Sequence, residues 1–151
     1  MAYDGKALTV LSRDTNKYMT QPASGTIQQV LQEATQKSGV DFPLADLIAD
    51  APDKAFLSDV KTGVAVGETT IDDVLCVHMF FVQPPAIEIE AWVEKNEQAV
   101  PRRIIVTYRD LPGQPRFISQ LSAWNLSPTV TDADFTIQIP PTATKIEEVR
   151  R

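Results

Sequence analysis

From Val60 onward the chain repeats one pattern: short apolar runs with period-two alternation, each closed by a turn signal. The expected strands are Val60 to Val66, Ile71 to Val82, Ile87 to Glu94, Arg102 to Arg109, Phe117 to Trp124, Phe135 to Ile139 and Lys145 to Val149. Turns are expected between them at Gly67-Glu68, Pro84-Pro85, Lys95 to Gln98, Pro112-Gly113-Gln114, Asn125 to Asp132 and Pro140-Pro141. A parallel pair needs a crossover of a dozen or so residues, usually a helix, and no helical pattern separates these strands. They are therefore expected to pair as an antiparallel meander. The 11 prolines concentrate between strands, which suits turns and guarded edges.

Upstream the period changes. Tyr3-Asp4-Gly5-Lys6 reads as a turn into a strand at Ala7 to Arg13. Asp14-Thr15-Asn16 is a second turn, and Lys17 to Gln21 a short strand closed by Pro22. Ile27, Val30, Leu31 and Ala34 then fall at i, i+3, i+4 and i+7, the stripe of an amphipathic helix. Ser24 or Thr26 can cap its start and Gly39 its end. Pro43 suits the first turn of a second short helix carrying Leu44, Leu47 and Ile48, and a third includes Phe56 and Leu57. The expected fold is α+β: one domain over residues 1–151, a curved antiparallel sheet covered by two or three short helices.

The stretch EIEAWVEK, Glu88 to Lys95 with Ile87 before it, defines a register. Its apolar parity is Ile87, Ile89, Ala91 and Val93; its other parity is Glu88, Glu90, Trp92 and Glu94. Only one parity of pairing places Ile89, Ala91 and Val93 beside Ile104 and Val106 of the next strand, because a one-residue slip exchanges the faces. That register sets Trp92 and its flanking acids near Arg103, where ion pairs and a cation–π contact are expected. Catalytic acid pairs flank a cleft in environments that split their pKa values. A row of acids along one strand reads as an outer face instead.

Net charge is −6, which repels phosphate backbones and anionic membrane surfaces, so nucleic acid is not an expected partner. No run approaches the roughly 18 apolar residues of a membrane span. Cys76 is the only cysteine, so no internal disulfide forms. Cys76 and His78 share a strand face, and with Asp72 or Asp73 they could be read as a metal or nucleophile site. The pair lacks standard ligand number and spacing, and a structural pair on a half-buried strand is the simpler reading. No P-loop, dinucleotide, nucleophile-elbow or His-rich metal motif is present, and no cofactor is expected.

Several stretches resemble a known family. These are YDGKALTVLSRDTNKYM, Pro43-Leu44-Ala45-Asp46-Leu47, DDVLCVHMFF, EAWVEK with VPRRIIVTY, LSAWNLSPTV, and DADFTIQIPPTATKIE. They resemble predicted periplasmic bacterial proteins of unknown function, similar in fold to the outer-membrane lipoprotein carrier and receptor proteins LolA and LolB. The resemblance covers nearly the whole chain, and its motifs are structural rather than catalytic. It implies a half-barrel whose helices lid an apolar cavity that holds acyl chains in the carriers. It also implies a periplasmic location, although the start of this chain carries no basic and apolar leader; a complete gene product would be cytoplasmic. Members of that family begin with further strands, so the chain is expected to be truncated. The sheet edge at Ala7 to Arg13 would then be bare and could support a homodimer.

The resulting expectation is a non-enzymatic protein that binds a lipid or lipoprotein acyl chain. The expected lining is Ile87, Ile89, Ala91, Val93, Ile104, Val106 and Tyr108 from the sheet, with Leu31, Leu44, Leu47 and Ile48 from the lid. The alternatives are a packed interaction module of the cell envelope, and a metal protein or enzyme built on Cys76 and His78.

Overall fold

A computed structural model of the chain describes residues 1–38, 43–45, 49 and 51–147. In chain order its elements are β1 (Ala2–Tyr3), β2 (Ala7–Ser12), β3 (Lys17–Pro22), α1 (Ile27–Ser38), α2 (Pro52–Ser58), β4 (Thr62–Ile71), β5 (Val74–Gln83), β6 (Ile87–Glu94), β7 (Pro101–Tyr108), β8 (Arg116–Gln120) and β9 (Thr144–Lys145). The chain divides into two compact units, Met1–Asp50 with Pro128–Arg151, and Ala51–Ser127. The architecture is mixed α+β with a four-stranded and a five-stranded sheet, and no closed barrel among the described residues.

In the first unit the order is β1-β2-β3-β9. Asp4 shapes the opening turn: its Oδ1 accepts from the backbone N–H of Lys6 at 2.8 Å and of Ala7 at 2.7 Å. Those two donors hold its carboxyl below the usual carboxylate range. Gly5, at φ 87°, takes the left-handed position of that turn. The expected hairpin follows, with Ala7 opposite Pro22 and Ser12 opposite Lys17. The edge expected to be bare is partly covered, because β1 pairs Ala2 with Thr9 and Tyr3 with Leu8.

α1 starts where the stripe placed it. Gln29 N–H donates to Thr26 Oγ1 at 3.3 Å and Thr26 N–H donates to Gln29 Oε1 at 2.9 Å, a reciprocal cap that satisfies two backbone donors. Its stripe delivers Val30 and Ala34 onto Leu8 to form the unit's core, flanked by Tyr3, Val10 and Ala23. Pro43 to Ala45 are half-buried. Gly39, Leu47 and Ile48, the rest of that expected helix region, lie outside the described residues.

Two expectations near the C-terminus are corrected. The expected strand Phe135 to Ile139 is absent; Asp132–Phe135 form a 3-10 turn instead. Asp134 Oδ2 there accepts from Thr131 N–H at 2.7 Å and Thr131 Oγ1 at 3.0 Å, a local arrangement that outcompetes the apolar alternation. The last strand is short and parallel, with Lys17 opposite Thr144 and Tyr18 opposite Lys145. Asn16 guides it, its Nδ2 donating to the Thr142 carbonyl at 2.9 Å. A strand that returns after a long connection is not bound by the hairpin rule that makes neighbours antiparallel.

The second unit is the antiparallel meander, in the order β4-β5-β6-β7-β8. Its first turn is not at Gly67-Glu68. Ile71 pairs with Val74, so the turn is Asp72-Asp73, at φ 48° and 62°. Aspartate tolerates that left-handed region, and a turn of this type matches the strand twist. Gly67 instead marks a bulge after Ala65, and β4 runs straight through it. β8 stops at Gln120 rather than Trp124, whose indole Nε1 donates to the Pro101 carbonyl at 2.8 Å. α2 begins on Pro52 and packs Phe56 edge-on against Phe81, with centroids 5.0 Å apart. Gln83 Nε2 donates to the Phe56 carbonyl at 3.3 Å.

Candidate ligand-binding site

The five-stranded sheet separates its two faces as the register predicted. Ile87 lies opposite Tyr108, Ile89 opposite Val106 and Ala91 opposite Ile104. On the other side of β6, Val93 meets Val77, Ala91 meets Met79 and Ile89 meets Phe81. Side chains alternate along a strand, so these residues share one apolar face. Ile89, Ala91, Ile104 and Val106 are buried there, while Ile87, Val93 and Tyr108 are half-buried.

At the Val77–Val93 end of that face lies an open recess of about 620 Å³. Val77, Met79 and Val93 line it, with Glu94 to Glu97 and Ala99 at its rim. The rim is a braced turn. Asn96 Oδ1 accepts from the N–H groups of Gln98 and Ala99, both at 3.0 Å, and Asn96 Nδ2 donates to Glu94 Oε2 at 2.7 Å. Lys95 Nζ donates to Glu68 Oε1 at 2.6 Å and ties the rim to β4.

Of the residues expected to line a cavity, Val93 lines this recess, and the other six sheet residues continue the same face. Leu31 is buried on α1 and Leu44 half-buried, both in the first unit. Val77 and Met79 were not foreseen. The run VLCVHMFF is apolar on both parities, so periodicity could not assign its faces; only its pairing with β6 does so.

The opposite face carries the acids, and each holds a cation. Arg109 Nε is 3.4 Å from Glu88 Oε1. Glu90 takes His78 Nε2 at 3.2 Å on one oxygen and Arg116 at 3.0 Å on the other. Arg102 Nη1 is 3.5 Å from Glu94 Oε1. The expected cation–π contact is present, with Arg103 lying 5.8 Å from the Trp92 ring centroid. The other side of the expectation is corrected: among the described residues Arg103 pairs with no acid and instead donates to Gln120 Oε1 at 3.4 Å. A bulge shifts the register after Trp92, so Pro101 faces Val93 and Arg102 is the extra residue that reaches Glu94. His78 stacks on Trp92, with centroids 4.2 Å apart and planes 6° from parallel. The row is a cross-strand lattice of ion pairs and rings.

Cys76 and His78 have different surroundings. Cys76 is fully buried, its Sγ 3.4 Å from the Val74 carbonyl, while His78 is engaged by Glu90 and Trp92. Among the described residues no group of three His, Cys, Asp or Glu could hold a metal ion. Burial pushes the Cys76 thiol above the ordinary thiol range, and the Glu94 carboxylate adds to the effect. Folding thus favours the neutral thiol. That contribution is complete below the unfolded pKa and fades as pH rises through the folded one, since the unfolded chain releases its proton first. The urea midpoint of the wild type is expected to fall more steeply than that of Cys76→Ala as pH rises above the ordinary thiol pKa of about 8.5. Equal slopes in the two proteins would show that the thiol is not linked to folding.

The chain matches the family model described as predicted periplasmic protein, DUF2092, over residues 1–148. It belongs to that family. No curated protein and no solved structure matches the chain. The DUF2092 description agrees with the periplasmic resemblance of the sequence, and no described helix is long and apolar enough to cross a membrane. Among the described residues of this DUF2092 protein, the recess on the apolar sheet face is an open concavity with a mostly apolar lining.

Proposed function

We propose that this DUF2092 protein is a non-enzymatic periplasmic binding protein that holds a hydrocarbon chain, from a lipid or a lipoprotein, against the apolar face of its five-stranded sheet. In this reading the sheet is one wall of a LolA-like half-barrel. The supporting observation is the recess itself: about 620 Å³, floored by Val77, Met79 and Val93, and continuous with Ile89, Ala91, Ile104 and Val106. Its volume falls within the roughly 300–1,000 Å³ of small-molecule sites. The polar rim at Asn96 and Glu97 leaves a head group in water while the tail lies on the floor. A tail that buries ten methylenes gains about 8 kcal/mol before the cost of immobilising it, which places affinity in the micromolar range or weaker.

Binding is tested by titrating the protein with a fluorescent fatty-acid probe and by native mass spectrometry of the purified sample. Saturable uptake by the wild type is expected, with Val93→Glu and Met79→Glu weakening it at least tenfold while the circular dichroism spectrum is retained. Thr69→Lys, away from the recess, should bind like the wild type. A wild-type protein that takes up no probe at micromolar concentrations and carries no copurified lipid would refute the reading.

A further inference from the structure

The two edges of the five-stranded sheet are not equally protected. β4 carries the bulge after Ala65 and the charged Glu68, and Lys61 directly precedes it, all devices that discourage strand addition. β8, with the sequence RFISQ, has a regular register from Arg116 to Gln120, no bulge and no internal proline or lysine. It is exposed along most of its length, and Ile118 is 61% exposed.

The hydrogen bonds of β8 show which backbone groups are free. Tyr108 N–H donates to the Pro115 carbonyl and Leu121 N–H to the Arg102 carbonyl. Odd-numbered residues therefore turn their backbone groups toward β7. Arg116, Ile118 and Gln120 point theirs away from the sheet, because the direction alternates along a strand.

From this geometry we infer that β8 pairs antiparallel with β8 of a second copy of this chain, about a two-fold axis at Ile118. That register is self-complementary in three respects. Ile118 meets its own equivalent in a hydrogen-bonded pair. Arg116 lies opposite Gln120 of the other copy, so no like charges oppose each other. Phe117, 36% exposed, lies opposite Ser119 on the other face. Two five-stranded sheets thereby become one continuous sheet of ten, and the exposed Ile118 is covered. The inference rests on the sheet edge alone and is independent of the ligand reading.

The decisive measurement combines sedimentation velocity with cross-linking of the full chain. The wild type is expected to show a concentration-dependent dimer. Ile118→Pro removes an outward N–H and no bond to β7, so it should remain folded and weaken the dimer at least tenfold. Ile118→Cys should form a disulfide-linked dimer under mild oxidation, since Cα atoms about 5.5 Å apart across such a pair lie within disulfide reach. Thr62→Cys on β4 serves as the control. A wild type that stays monomeric at millimolar concentration would overturn the inference. So would Ile118→Cys linking no faster than the control, or linking preferentially to a cysteine placed at Val64, which would mean head-to-tail stacking.

Discussion

Arg102→Ala is expected to destabilise the second unit by about 3 kcal/mol, the lower end of what removing one partner of a buried ion pair costs. The change is read by urea unfolding followed by tryptophan fluorescence, which reports on this unit because Trp92 and Trp124 both lie in it. Arg102 sits at the bulge between β6 and β7, its side chain only 13% exposed, and its partner Glu94 is equally enclosed. Truncation leaves the Glu94 carboxylate with Asn96 alone and removes the packing of the aliphatic stem. The contact to Asp72, 3.8 Å away and with Asp72 57% exposed, adds little. Glu94→Gln in the Arg102→Ala background should recover part of the loss, because a neutral amide needs no counter-ion there. A cost below about 1 kcal/mol would show that Glu94 is solvated well enough to stand alone.

Leu8→Ala is expected to cost about 3 kcal/mol, within the 2–5 kcal/mol typical of truncating a buried leucine. Leu8 is 1% exposed and is where β2 meets Val30 and Ala34 of α1. Among the described residues, the buried cluster around Leu8 consists of Val30 and Ala34, which leaves few side chains to close the cavity. Early loss of helical circular dichroism on heating, with faster amide exchange in β2 and β3, is the predicted signature. Val10→Ala, at a half-buried position on the same strand, should cost about 1 kcal/mol. Equal costs for the two substitutions would mean that the Leu8 site collapses rather than leaving a void.

Much of this protein is legible in local pattern. The alternation in Ile87 to Glu94 placed β6, chose its register against β7 and separated the apolar face from the acids. The i, i+3, i+4, i+7 stripe found α1, and of the two caps the sequence offered, Ser24 and Thr26, the structure uses Thr26. Errors fell where one residue type serves two geometries. Gly67 signals a turn or a bulge equally well, and only the pairing of Ile71 with Val74 decides for the bulge. Phe135 to Ile139 alternates like a strand, yet Thr131 and Asp134 close a tighter local turn first. The recess was half legible: Val93 was foreseen, whereas Val77 and Met79 were hidden in a run apolar on both sides.

Sequence alone established the antiparallel meander, because strands joined by short turns have no other way to pair. It also established which parity of β6 is apolar, because side-chain direction has a period of two whatever the strand packs against. Tertiary structure alone decided which cation each acid holds and where the apolar face stays open. Those outcomes depend on a one-residue bulge at Trp92 and Val93 and on partners 8 to 26 residues away. Unlike the one that Gly67 marks, this bulge leaves no sign in local composition, so the chain must be paired before its consequences exist.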